Sequence, residues 1–196
     1  MAATPTQQQQ QQQDPGAQAA THTFLFADLV GFTTLTERHG DEAAADIALG
    51  FARAVEALAQ EHGAQLVKLV GDCVMLRADR PQDAVRLGLA LVRELPRRHH
   101  LPPVRAGAHT GNAVARGTDW FGATVNLAAR ITGLARGGEL LVTEATAHAV
   151  HGEDGVQLVD LGLQHFRNVG APVHILSARS GERRARHGRA RVAVSV

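Results

Sequence analysis

Short apolar runs alternate with longer amphipathic stretches from Thr21 to about Ala178. The run THTFLFADLV, residues 21–30, is rich in strand formers and closed by Gly31, the pattern of a buried strand. From about Thr36 to His62, Ile47, Leu49, Phe51, Ala54, Val55 and Leu58 recur at helical spacing among charged residues. Gly63 follows where a helix C-terminus favours glycine. This segment predicts one long helix or a broken pair. The runs AQLVKLV and CVMLRA are separated only by Gly71-Asp72, which predicts a tight hairpin. Pro81 to Leu95 reads as an amphipathic helix with Pro in its first turn and a stop at Pro96. VRAGAHTG predicts a strand, NAVARGTDWFG a polar, glycine-containing excursion, ATVNLAARITGLA a helix before Gly137-Gly138, and ELLVT a strand. A short helix over Thr143 to Val150 and two closing strands, VQLVDLG and VHILSA, complete the chain.

The resulting order, β α β β α β α β α β β, is that of an α+β protein. Its first half matches a ferredoxin-like βαββαβ sheet with helices packed on one face, and further αβ elements follow toward the C-terminus. No internal repeat is visible.

Composition trims the ends of this picture. Residues 1–20 include seven consecutive Gln and almost no large apolar side chain, so they cannot offset their ordering entropy and are expected to be disordered. The final twenty residues hold six of the 20 Lys and Arg and one of the 19 acids, leaving 14 bases against 18 acids elsewhere. The basic balance is therefore a property of the tail, expected over residues 178–196, and the domain expected over residues 21–177 is mildly acidic. An arginine-rich end serves either as a solvated terminus or as a contact for an anionic partner. The single cysteine, Cys73, excludes an internal disulfide framework and suits a reducing compartment. No signal-peptide pattern and no run of roughly 20 apolar residues appears. A soluble, cytoplasmic protein without a membrane span is expected.

Candidate chemistry begins with two carboxylates. Asp28 closes the first strand and Asp72 lies in the hairpin turn. In a βαββαβ sheet strand one is central and pairs with strand three, so the two meet at one edge of the sheet. Taken singly, Asp28 caps a helix and Asp72 makes a turn. Taken together, beside Gly31 and Gly71, they suit divalent metal of the kind used in phosphoryl transfer. Asn126 and Arg130 are four apart in TVNLAARI and share one helix face, where an arginine fork can neutralise a phosphoryl group. Lys68 is the only lysine among 20 basic Lys and Arg residues, and by itself reads equally as an exposed strand charge. His109 is as compatible with a structural role as with a functional one. Trp120 and Phe121, the only adjacent aromatic pair, form either a local cluster or a surface for a partner.

Four motifs, FLFADLVGFT (Phe24–Thr33), KLVGDCVM, RAGAHTG and DWFGATVNLAARI, occur in an order and spacing that resembles the catalytic domain of class III adenylyl and guanylyl cyclases. The wording of the last motif is most similar to stand-alone actinobacterial adenylate cyclases. The resemblance covers about Thr21 to Ser177. It implies that Asp28, Asp72 and the backbone carbonyl of Leu29 hold two divalent cations, Mg²⁺ or Mn²⁺, that Asn126 orients the ribose, and that Arg130 stabilises the transition state. Arg105 matches a position near the phosphates, and Arg167 is the nearest counterpart of a triphosphate-gripping lysine of the family.

Lys68 and Asp119 match the base-reading positions of the adenine-selective members. Adenine offers an amino donor beside the N1 acceptor, so a carboxylate and an ammonium complement it, whereas guanine presents the reverse. The resemblance thus implies ATP as substrate, 3′,5′-cyclic AMP and pyrophosphate as products, and a head-to-tail homodimer with two shared sites. The alternatives are a non-catalytic nucleotide-binding or dimerisation module of the same fold, a diguanylate cyclase, and a nucleic-acid-binding domain. VGDCV replaces the turn of the second. The strands lack the exposed aromatics needed by the third, so no specific nucleic-acid partner is expected.

Overall fold

The computed structural model of the chain describes residues 20–181, and most of the Gln-rich and Arg-rich segments lies outside them. Seven strands form one sheet: β1 (Thr21–Leu29), β2 (Ala64–Val70), β3 (Cys73–Ala78), β4 (Val104–Asn112), β7 (Leu140–Thr143), β8 (Val156–Gln164) and β9 (Val173–Ser180). Their order is β2-β3-β1-β4-β7-β9-β8, with β4 and β7 parallel and all other neighbours antiparallel. The first four positions are the ferredoxin-like arrangement, with β1 central and beside β3. Seven of the nine β1 residues are buried, because the sheet covers both edges of this strand and helices cover both faces; hence its unbroken apolar run.

The segment expected as one long helix or a broken pair is a pair, α1 (Phe32–His39) and α2 (Asp41–Glu61), interrupted at Gly40, whose φ of 84° ends the first helix. α1 starts earlier than the periodicity indicated, because none of its residues is fully buried and Phe32, half-buried against the core, begins it. The expected stop at Pro96 is corrected. α3 (Pro81–Arg93) ends before it, but a short α4 (Leu95–His99) takes Pro96 into its own first turn, where the missing N–H has no partner to lose. The polar excursion is a small hairpin, β5 (Val114–Arg116) with β6 (Asp119–Phe121). α5 (Ala123–Leu134) and α6 (Glu144–Ala149) complete the elements, and β9 runs on to Ser180, past Ser177.

α2 and α3 pack on one face, where Phe51, Val55, Val85 and Leu87 meet Leu25, Leu29, Val74, Leu76 and Val104. This is the single-face packing expected for the βαββαβ half. α5 covers the opposite face, its Val125 and Ala128 against Phe24, Phe26 and Met75, and Ile131 against Leu141 and Ile175. Its close approach depends on Gly107 of β4, where an added Cβ would lie 2.4 Å from the Thr132 backbone nitrogen.

Candidate active site

β1 and β4 bring the first group of residues together. Asp28 is the penultimate residue of β1, on the same side of the strand as Phe24 and Phe26, with Cys73 of β3 and Arg105 of β4 as its register partners. The Arg105 guanidinium donates from Nε at 2.8 Å and from an Nη at 2.5 Å, both to Asp28 Oδ2. Asp72 sits in the β2–β3 turn, which Gly71 closes at φ 61°. Burial first, and then the Asp28 charge beside it, pushes the Asp72 carboxyl up to about 6. Burial and the same two acids push the Cys73 thiol up to about 12, which leaves it an inert neighbour. The β1–β3 ladder ends at Asp28↔Cys73, so the Leu29 carbonyl falls beyond it.

Two hard carboxylates held together at this cost of mutual repulsion form a donor set that suits Mg²⁺ or Mn²⁺, which use one or two carboxylates and complete their shell from water and phosphate. Among the described residues there is no cluster of three or more His, Cys, Asp and Glu placed to hold a metal.

A second group lies on the same side of the sheet. Lys68 Nζ donates to Asp119 Oδ2 at 2.6 Å, joining β2 to β6. That contact depends on a β-bulge. Leu66 pairs with Leu76 on the side facing α2 and α3, and strict alternation would put Lys68 there too. The register shifts between Leu66 and Lys68, so Val67 is the extra residue and Lys68 pairs with Met75, on the α5 side. The other Asp119 oxygen, Oδ1, accepts from the Trp120 backbone N–H at 2.8 Å. Hydrogen bonds from Lys68 and from this N–H hold the Asp119 carboxyl below its ordinary range.

Asn126 and Arg130 both lie on the uncovered face of α5, Asn126 exposed and Arg130 half-buried, while Val125, Ala128 and Ile131 face inward. Neither side chain bonds to the Asp28 or the Lys68 group among the described residues. Arg167 is exposed in the β8–β9 loop and joins neither group. His109 is structural in its contacts: it bonds Thr143 through Nδ1 at 2.7 Å, and burial lowers its pKa. The aromatic pair splits, with the Trp120 ring packed inward and Phe121 exposed, its ring 5.9 Å from Lys68 Nζ. Alternation alone gave no sign of the bulge at Val67, although Leu66 and Leu69 facing one core requires it.

Residues 16–173 match the family model of the adenylate and guanylate cyclase catalytic domain. The chain belongs to this family. The cyclase domain is 36% identical over 180 residues to the pH-sensitive adenylate cyclase of Mycobacterium tuberculosis, an overlap covering 89% of this chain and 44% of that protein. It is 38% identical over 122 residues to an adenylate cyclase of Streptomyces coelicolor, covering 62% of this chain and 32% of that protein. The chain thus spans less than half the length of these curated relatives. Among solved structures, the adenylyl cyclase CyaB from P. aeruginosa superimposes with a TM-score of 0.77 at 25% identity, covering 86% of this chain and 98% of that one. The cyclase from Silicibacter pomeroyi, described as an adenylate/guanylate cyclase/hydrolase, gives 0.75 at 25% identity. Among the described residues no helix is long and apolar enough to cross a membrane.

Proposed function

We propose that the protein is an adenylate cyclase that converts ATP to 3′,5′-cyclic AMP and pyrophosphate at sites shared between two copies of the chain. The observation that carries the reading is the Lys68–Asp119 pair, an ammonium and a carboxylate 2.6 Å apart on the α5 side of the sheet. Lys68 donates to adenine N1 and Asp119 accepts from the exocyclic amino group, a pairing guanine cannot reproduce. The relatives named above as adenylate cyclases support the same substrate.

Asp28, Asp72 and the Leu29 carbonyl are the groups that would hold two divalent cations. When bound, these supply neutralisation of the triphosphate and a lowered pKa for the ribose 3′-hydroxyl. Asn126 hydrogen-bonds the ribose and fixes the 3′-oxygen in line with the α-phosphorus, and Arg130 places its fork on the α-phosphoryl oxygens as charge develops there. The 3′-hydroxyl gives its proton to solvent water, its oxygen forms the bond to the α-phosphorus, the bond from that phosphorus to the bridging oxygen breaks, and pyrophosphate departs. Arg105, now on Asp28, lies where it can turn toward the phosphates, and Arg167 is the candidate grip for the distal ones. No side chain need act as general base, so catalysis is positioning and charge stabilisation.

Asn126 and Arg130 bond to neither of the other groups within one chain, which supports a head-to-tail homodimer in which α5 of one copy serves the carboxylates of the other. Purified protein assayed with ATP and GTP in parallel, with Mg²⁺ or Mn²⁺, is expected to form cyclic AMP in a metal-dependent way, and Asp72→Ala is expected to abolish it. Absence of product under either metal would sink the catalytic reading and favour a nucleotide-binding module.

A further inference from the structure

We infer that Trp120 is a positioning residue for purine selection: its indole, wedged against His22, Phe24 and Arg77, locks the β5–β6 hairpin so that Asp119 presents its carboxylate to Lys68 and the base. The inference rests on the adenylate cyclase reading.

Trp120 follows Asp119 in β6, and the small β5–β6 sheet has no ladder to the main one. A three-residue strand pair of this kind is not stable alone. What fastens its β6 end is the indole. Its ring centroid lies 4.6 Å from that of His22, edge-on at 73°, and 5.7 Å from that of Phe24. The Arg77 guanidinium lies 5.2 Å from the indole centroid. These partners are themselves fixed. His22 is buried and its Nδ1 lies 2.9 Å from Asp79 Oδ1, while Arg77 donates to Gln65 Oε1 at 2.9 Å and pairs with Asp79 at 2.9 Å.

The indole and the Asp119 bond belong to the same residue. With the ring anchored, the Trp120 backbone N–H points at Asp119 Oδ1 and holds the carboxylate in one rotamer, leaving Oδ2 for Lys68. Without it, the hairpin is free to shift and the carboxylate loses its aim. Such a residue acts on binding of the base, before any bond is made, so its loss belongs in KM and not in kcat.

Trp120 is also the only tryptophan of the chain, so its emission reports on the hairpin directly. The test measures the Kd of 3′-deoxy-ATP, which lacks the attacking hydroxyl, together with KM and kcat for ATP and GTP, in wild type, Trp120→Ala and Trp120→Phe. The probe should change the wild-type emission on binding. Trp120→Ala should raise the Kd and the ATP KM about tenfold, the scale of the lost aromatic and cation–π contacts, with kcat little changed and the ATP-over-GTP preference narrowed. Trp120→Phe should recover most of the loss. A merely structural role would lower Tm and the active fraction but leave the Kd of the folded protein unmoved, and that result overturns the inference. If Trp120→Ala does not fold, Trp120→Leu and Arg77→Gln decide: a folded variant of either kind with wild-type Kd overturns it equally. Wild-type protein that neither binds 3′-deoxy-ATP nor forms cyclic AMP overturns the adenylate cyclase reading and this inference with it. Wild-type binding and cyclisation with unaffected variants overturns this inference alone.

Discussion

Asp119 has one oxygen on Lys68 and the other on the Trp120 backbone N–H, so its ionised form is doubly held before any nucleotide arrives. A carboxylate fixed in this way is an acceptor only, and the ammonium beside it a donor only, which matches the adenine edge and opposes the guanine edge. Exchanging the chemistry should exchange the substrate. Lys68→Glu with Asp119→Cys is expected to lower kcat/KM for ATP by about 10- to 100-fold, the usual worth of one donor–acceptor pair in discrimination, and to narrow or reverse the preference over GTP. Unchanged ATP preference in parallel assays of the folded double variant would remove the base-reading assignment. Lys68 stood out as the only lysine, and Asp28 and Asp72 as a carboxylate pair at a strand end and a turn, whereas Asp119 was marked only by the family resemblance. Trp120 was marked only as half of an aromatic pair, and His22 and Arg77 not at all: their value lies in mutual contact between residues roughly 40 to 100 positions apart, which no local pattern encodes.

At the level of elements, the β4–α5 contact sets where Asn126 and Arg130 stand. Gly107 leaves no room for even one methyl carbon, since the added atom would lie 2.4 Å from the Thr132 nitrogen and 2.9 Å from the Ile131 carbonyl carbon. Both obstacles are backbone, so α5 itself must move. Gly107→Ala should destabilise the domain by about 1–3 kcal/mol, as overpacking does, read as a lower denaturant midpoint. It should also reduce cyclic AMP formation at temperatures where the variant is fully folded, because Arg130 travels with the helix. Wild-type activity in a folded Gly107→Ala protein would show that α5 does not need this close seat. The elements themselves were mostly legible. Periodicity and glycine marked β1, the β2–β3 hairpin, α2, α3 and α5. The broken helix pair was also foreseen, although α1 starts four residues before the expected Thr36, and α4 was missed because Pro is permitted in a first turn.

Across the whole molecule, the site side chains named from the sequence, apart from Arg167, stand on or beside the sheet face that carries α5, while Leu29 offers only its carbonyl and turns its side chain to the α2–α3 core; within one chain they form separate groups. The proposed homodimer, with its sites shared between copies, would account for the separation. Mixing Asp72→Ala with Arg130→Ala protein should then restore activity, because one of the two sites in a mixed dimer inherits intact carboxylates from one copy and intact Arg130 from the other. Random pairing makes half the dimers mixed with one good site each, so about one quarter of wild-type activity is expected when copies exchange freely. Two inactive variants that stay inactive after co-refolding would refute the shared site. The sequence by itself determined the α+β class, the central β1, the adjacency of Asp28 and Asp72 and the common helix face of Asn126 and Arg130, because these follow from alternation, helical period and the pairing rules of a βαββαβ sheet. Only the tertiary structure decided that α5 covers the opposite face, that a bulge at Val67 turns Lys68 out of the core, that Arg105 bonds Asp28 and that Trp120 anchors the hairpin. Each of these depends on a register shift or a contact between distant strands, and such terms are fixed by packing of the whole sheet.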